Sequence, residues 1–210
     1  MLLYSISGTC SLAPHILLEY IGAPFEVKLL NRETGENKEN AYLAVNPKGR
    51  VPALVVDGTV ILENVAIQLY LAERFAERSL APIDLLQRAR WMAALTWMSN
   101  SVHLNFRQYR RPEYYTPDEN ARAAVSARGR QDFIRALEDL DDQLKDGQWL
   151  LGDEFSTADA YAHVFHLWGL GAKFPIQHLR NLHEHGQAMM AIPATRRAFE
   201  REGVLATIFD

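Results

Sequence analysis

The chain has 210 residues, 48% hydrophobic and 23% charged, with 22 basic against 26 acidic side chains and a formal net charge of -4. The length allows one large domain or two small ones, and the apolar fraction argues against wholesale disorder. The acidic balance argues against general nucleic-acid binding, which draws on clustered Lys and Arg, and the single cysteine, Cys10, excludes an intramolecular disulfide or a Cys-rich zinc site.

In chain order, Leu2 to Ile6 reads as a short buried strand, stopped by Ser7-Gly8-Thr9. This start does not have the pattern of a secretory signal, and no segment approaches the ~18 uninterrupted apolar residues of a membrane span. The expectation is a soluble, reduced, cytoplasmic protein with no membrane partner. From Ser11 to Tyr20, the positions Leu12, Ile16, Leu17 and Tyr20 fit a helix, with Gly22 and Pro24 as its stop. Phe25 to Leu30 alternates as a second strand, and the polar stretch Asn31 to Asn40 reads as a loop or frayed helix. Val51 to Val56 and Thr59 to Leu62, divided by Asp57-Gly58, give a hairpin signal. Ile67, Leu69, Tyr70, Leu71 and Phe75 belong to another helix. The order is βαβ, a variable segment, then ββα, and so small a sheet needs a partner to cover it.

Ser79-Leu80-Ala81-Pro82 marks a linker, assigned to residues 79–86, between an α/β domain (1–78) and an all-α domain (87–210). Trp91, Leu95, Met98, Val102 and Phe106 recur at helical spacing in a long helix that ends before Pro112. Thr116-Pro117-Asp118-Glu119 reads as a helix start, with Thr116 as the capping hydroxyl and Pro117 at the first position. That helix carries Val125, Ile134, Leu137, Leu140 and Leu144 and stops at Gly147. Ser156-Thr157-Ala158-Asp159 has the form of a capping box and opens an unusually apolar helix. Pro175 and Pro193 each stand where a first helical turn would begin.

Four groups of residues could carry chemistry. Cys10 sits at a strand-to-helix turn, where unpaired N–H groups and the positive dipole end favour thiolate. Position 13 is Ala, so the resolving cysteine of a C-x-x-C pair is missing and a dithiol reductase is ruled out. A monothiol mechanism with an external thiol stands beside the reading of Cys10 as a small buried space-filler. A cis Val51-Pro52 bond would turn the Val51 backbone outward as a peptide-binding edge, although trans is the commoner form. Glu63-Asn64 offers one carboxylate and helix N–H groups, suited to a ligand bearing both ammonium and carboxylate; Asn64 also fits as a simple helix cap. Ser99, Asn100, His103, Arg107 and Arg110 share a helix face beside the buried stripe, either lining a cleft or facing solvent. Asp159, His163 and His166 have helical spacing compatible with metal ligands, but Asp159 already caps and the histidines lie in an apolar run, so no metal site is expected.

Together these features resemble the bacterial beta class of glutathione transferases. The resemblance rests on Ser7-Gly8-Thr9-Cys10-Ser11-Leu12-Ala13-Pro14-His15, on Val45 through Leu54, on Leu62 through Ile67, on His103 with Phe106 and Arg111-Pro112, and on Ser156 through Tyr161. It implies a thioredoxin-like N-terminal domain, an all-helical C-terminal domain, a homodimer and glutathione as co-substrate. It further implies a cis Pro52, with Val51 pairing the cysteinyl part of glutathione, and Glu63 and Asn64 holding its γ-glutamyl end. Asn100 is assigned as a further glutathione contact, and Cys10, Ser11 and His103 as the catalytic residues. A small hydrophobic electrophile would lie against Phe106, Tyr109, Tyr114 and Trp168. Asn64 replaces the commoner Ser or Gly, and the lysine expected for the glycine carboxylate is missing; Arg32 and Lys38 are the candidate substitutes. The implied reaction is conjugation, with thiol-disulfide exchange through Cys10 as a variant and a non-catalytic glutathione-fold binding protein as the alternative.

Overall fold

The computed structural model describes residues 1–204. Its sheet has four strands, β1 (Leu2–Ser5), β2 (Glu26–Leu29), β3 (Ala53–Val56) and β4 (Thr59–Leu62), in the spatial order β2-β1-β3-β4. Helix α1 (Leu12–Ile21) carries the chain back so that β2 pairs parallel with β1, and Leu3 stands between Val27 and Leu54. The hairpin turn reads as expected: Asp57 (φ 48°) and Gly58 (φ 80°) both take the left-handed conformation that lets two residues join twisted strands. Between β2 and β3 the expected loop contains a short helix, α2 (Asn40–Leu43), and α3 (Asn64–Arg74) follows β4.

Helix α1 departs from the expected one-sided stripe. Almost every side chain on it is buried, including the polar His15 and Glu19. A helix buried all round needs cover on both faces. The sheet and α3 provide one layer, while α7 (Thr157–Gly171) and α9 (Pro193–Glu202) provide the other. Arg197 Nε and Arg201 Nη1 on α9 donate to the Glu19 carboxylate at 2.8 and 2.6 Å. Burial raises the Glu19 pKa, but these two guanidinium groups outweigh it and hold the carboxyl below its ordinary value. One apolar cluster therefore runs from Leu3, Leu17 and Leu71 through to Trp91, Phe133 and Phe165, uniting both parts of the chain.

The long helix expected before Pro112 is interrupted. Helix α4 (Leu85–Trp97) passes into a π-turn at Met98–Val102, closed by the His103 N–H on the Met98 carbonyl, and continues as α5 (His103–Arg110). The extra residue turns everything downstream by about 100° relative to an unbroken helix. Helix α6 (Glu119–Gln143) is capped by Asp118, whose Oδ1 accepts from the Asn120 N–H at 2.9 Å, and not by Thr116; it ends before Gly147. Pro193 opens α9 as expected, but Pro175 opens no helix, and α8 starts later (Arg180–Ala191). Among the described residues, no helix is long and apolar enough to cross a membrane.

The capping box at the start of α7 is a larger junction than its sequence form implies. The buried Asp159 carboxylate accepts from the Ser156 N–H (2.8 Å), the Ser156 hydroxyl (3.0 Å) and the Leu150 N–H (2.8 Å), and faces His185 Nε2 at 3.2 Å. Each buried donor left without an acceptor costs about 1–3 kcal/mol. Asp159→Ala is therefore expected to lower the unfolding free energy by roughly 3 kcal/mol or more, measured by urea denaturation; a loss under about 1 kcal/mol would contradict the assignment of these contacts.

Candidate active site

Cys10 lies on the loop between β1 and α1, almost fully buried. The Val51-Pro52 bond is cis, and the Cys10 thiol approaches the Val51 carbonyl at 3.7 Å. Asn64, the first residue of α3, donates from Nδ2 to the Cys10 carbonyl at 2.6 Å and is itself held by Gln68 Nε2 at 2.6 Å. Asn64 is thus not the cap of α3; that place belongs to Glu63, whose φ of 70° is unusual for a residue with a side chain. The Glu63 carboxylate is exposed and paired with Lys48 Nζ at 2.8 Å. It borders the first turn of α3, whose leading N–H groups have no intrahelical acceptor.

The expected thiolate is not what the structure supports. Burial pushes the Cys10 thiol up to about 11, and hydrogen bonding with Asn64 and the charge of Arg32 only partly oppose this. A thiol directed at a carbonyl also needs its proton to make that contact. Ser11, and not Cys10, occupies the helix cap.

The Ser11 side chain is engaged within the protein. Its hydroxyl is fully buried, 2.7 Å from the Ser5 hydroxyl and 2.6 Å from that of Thr9, and it accepts from the Ile6 N–H at 3.3 Å. The network continues to α9: Ser5 donates to Glu202 Oε1 at 2.7 Å, His15 Nδ1 lies 2.8 Å from the same oxygen, and the Gly8 N–H meets Oε2 at 3.3 Å. The Ser7 hydroxyl adds a bond to the Glu202 carbonyl at 2.6 Å. Ser11 and Glu202 thus brace the loop that presents Cys10.

His103 comes from the helical layer. Its Nδ1 lies 3.1 Å from the Tyr161 hydroxyl, and its ring stands edge-on to Trp168 with centroids 5.1 Å apart. Burial, helped by the positive charges of Arg107 and Arg50, lowers its pKa to about 4, so the imidazole is neutral near pH 7. Tyr161 is held protonated chiefly by burial and is within electrostatic reach of Cys10, so it links the two expected site residues. Trp168 Nε1 donates to the Gly8 carbonyl at 2.9 Å, tying α7 to the cysteine loop. Asn100 lies exposed in the π-turn, and its side chain has no hydrogen bond to a described residue. Of the two substitutes for the missing lysine, Arg32 is within electrostatic reach of Cys10, Arg110 and Arg111, whereas Lys38 packs beside Gly49.

Sequence reading missed Tyr161 and Arg50 and gave Trp168 only the role of an apolar wall. The available signal was the spacing of Tyr161, Phe165 and Trp168 on one face of an apolar helix, two of them with polar tips that must find partners when buried. Among the described residues, no group of three or more His, Cys, Asp or Glu is arranged to hold a metal ion.

Comparison with known proteins finds relatives for both parts of the chain. Residues 1–73 match the family model for the glutathione S-transferase N-terminal domain, and residues 123–182 that for the C-terminal domain. The glutathione S-transferase GstA of Escherichia coli O157:H7 is 34% identical over 97% of this chain and 100% of its own length. Among solved structures, a glutathione transferase homologue from Sulfitobacter with bound glutathione superposes with a TM-score of 0.91 at 25% identity, covering 95% of this chain and 97% of that one. A bacterial beta class glutathione S-transferase from Sphingomonas chungbukensis does so with a TM-score of 0.85 at 31% identity, covering 97% and 100%.

The protonated state of Cys10 has a direct consequence. Iodoacetamide should alkylate it at pH 7.5 at least about tenfold more slowly than free cysteine, whose thiol titrates near ~8.5, with the rate rising until the pH reaches about 11. A rate plateau below pH 8 would overturn the assignment. His103 predicts a second pH effect. Its pKa is depressed from 6.5 to about 4 on folding, so the unfolded chain takes up its proton first. Its contribution to stability is full above pH 6.5 and is lost as the pH falls toward 4. Unfolding free energy measured across that window should decline less steeply in His103→Gln than in the native chain.

Proposed function

The chain belongs to the glutathione S-transferase family, and from that premise we propose that it lays glutathione along the Val51 edge and conjugates its thiolate to small hydrophobic electrophiles. The observation that carries this reading is the backbone beside the thiol. Among the described residues the Val51 N–H has no hydrogen bond, and the Val51 carbonyl has only the long contact from Cys10. An extended ligand can pair with both groups in the manner of an added strand. Glu63 then faces the ligand's ammonium, the start of α3 its γ-glutamyl carboxylate, and Arg32 the carboxylate at the other end.

The ligand's thiol arrives beside Cys10 and the Tyr161–His103 pair. Once the Val51 carbonyl is taken by the ligand, the Cys10 S–H is free to donate to an incoming sulfur. A Cys10 thiol with a pKa pushed to about 11 keeps its proton while an ordinary thiol, near ~8.5, gives its own up. This favours glutathione as the nucleophile and Cys10 as the donor that stabilises its thiolate. Thiol-disulfide exchange through Cys10 is the slower variant at neutral pH, because it needs Cys10 as thiolate. The aromatic faces of Phe106 and Trp168, stacked at 4.6 Å, supply an apolar wall for the electrophile.

The proposal includes a cytoplasmic homodimer. A buried free thiol suits a reducing compartment. Ile83, Leu85 and Leu86 stand exposed where the chain enters α4, an apolar surface suited to a second copy.

Binding to immobilised glutathione and turnover of 1-chloro-2,4-dinitrobenzene test the reading. The native protein should bind and turn over. Glu63→Gln should raise the KM for glutathione about tenfold, the scale of one lost charge-assisted contact. Cys10→Ser should keep most conjugation and lose disulfide reduction. No binding at millimolar glutathione would overturn the enzyme reading in favour of a non-catalytic binding protein.

A further inference from the structure

The cleft gathers positive charge in a chain whose net charge is -4. Helix α5 places Arg107 one turn beyond His103 and Arg110 one turn further on the same face, with Arg111 just past its end. The α/β layer contributes Arg32, from the segment after β2, and Arg50, next to Val51.

These arginines stand around one space. Arg32 is within electrostatic reach of Cys10 and also of Arg110, Arg111 and Tyr114. The Arg107 guanidinium lies over the Tyr114 ring, 4.8 Å from its centroid. Arg107 and Arg50 are both within electrostatic reach of His103, whose ring stands against Trp168. The contacts close on themselves, from the thiol through Arg32, Tyr114 and Arg107 to His103, and back to the thiol by Tyr161.

Little negative charge answers them. Arg111 has Glu113 at 3.7 Å, and Glu63 is already paired with Lys48. Among the described residues, the side chains of Arg32, Arg50, Arg107 and Arg110 have no ion pair and no hydrogen bond. Partial burial lowers the Arg32 pKa, and the like charges of Arg111 and Arg110 lower it further. Like charges held together raise the free energy until an anion joins them. In the reading given above, on which this inference rests, glutathione's two carboxylates go to the start of α3 and to Arg32. Arg107 and Arg110 are then left unanswered, on the same helix that carries Phe106.

We propose that the second ligand of this cleft, and hence its electrophile, is an aromatic acid whose ring packs on Phe106 and Trp168 and whose carboxylate pairs with Arg107 and Arg110. A guanidinium stacked on a ring keeps its edge N–H groups free, and that edge matches a carboxylate. A neutral electrophile would use the aromatic wall and leave both arginines unpaired.

The test compares 3,5-dinitrobenzoate with the neutral 3,5-dinitrobenzamide, titrated calorimetrically into the full-length protein with and without saturating S-methylglutathione. The acid should bind about tenfold more tightly, the scale of one charge-assisted contact. The preference should shrink between about 10 and about 150 mM salt, because accessible charges are screened. Arg107→Gln and Arg110→Gln should each remove most of it. Arg180→Gln, which deletes an exposed arginine paired with Glu184 on α8, should leave it intact. Turnover of 4-chloro-3,5-dinitrobenzoate and its amide, each divided by its uncatalysed rate, should show the same ratio in kcat/KM. In that reaction the glutathione sulfur bonds to the ring carbon, the C–Cl bond breaks, chloride leaves and the thiol proton goes to solvent. Equal binding of acid and amide, no acid bound at millimolar concentration, or a preference unmoved by salt would each overturn the proposal. So would a preference kept in both cleft variants, or equal normalised turnover of the two chlorides. Turnover of neither chloride, with the binding preference intact, would overturn the enzyme reading and leave the acid site standing.

Discussion

Helix α1 carries His15 and Glu19 into a core that excludes water, and both side chains need partners there. Buried charged and polar groups persist only when they are paired. The partners are Glu202, Arg197 and Arg201, all on α9, near the opposite end of the chain. The same Glu202 reaches Ser5 and the Gly8 N–H, so packing α9 onto α1 also shapes the loop that holds Cys10. Trp168 of α7 holds that loop from a second side. The thioredoxin-like layer is completed by the helical layer, and the cysteine loop takes its geometry from both.

Burial also decides the charge state of the site. A helix start favours an anion by about 0.3–1 kcal/mol. Raising a thiol from 9.0 to about 11 corresponds to about 3 kcal/mol in the opposite direction. At Cys10 desolvation outweighs the helix dipole. The same effect keeps His103 neutral, so the cleft holds uncharged donors and acceptors at its centre with arginines around it. That charge state is the premise of the proposed reading, in which the nucleophile arrives with the ligand.

What was legible in the chain depended on how local the cause was. Asp57-Gly58 reads as a hairpin turn because two left-handed residues suffice to make one. Ser156 and Asp159 read as a capping box because the contact closes within one helical turn. The cis bond before Pro52 came only through resemblance, since sequence favours trans. The Ser11 network was not legible because it runs through Ser5 to Glu202, 191 positions away in the chain. The π-turn ahead of His103 has no local signature, and Asp118 displaced Thr116 as a cap although either residue type can cap.

By itself, the sequence determined the strands, most of the helices, their order and the family, because strand alternation, turn chemistry and capping act over a few residues. It also placed Cys10, Val51, Glu63 and Asn64 at the three junctions that meet in the cleft. Only the tertiary structure decided what those residues are in physical terms: a protonated thiol, a neutral His103 and a Ser11 hydroxyl buried among Ser5 and Thr9. Each of these depends on how much water and charge surround a group, and that is set by segments distant in sequence once they pack together.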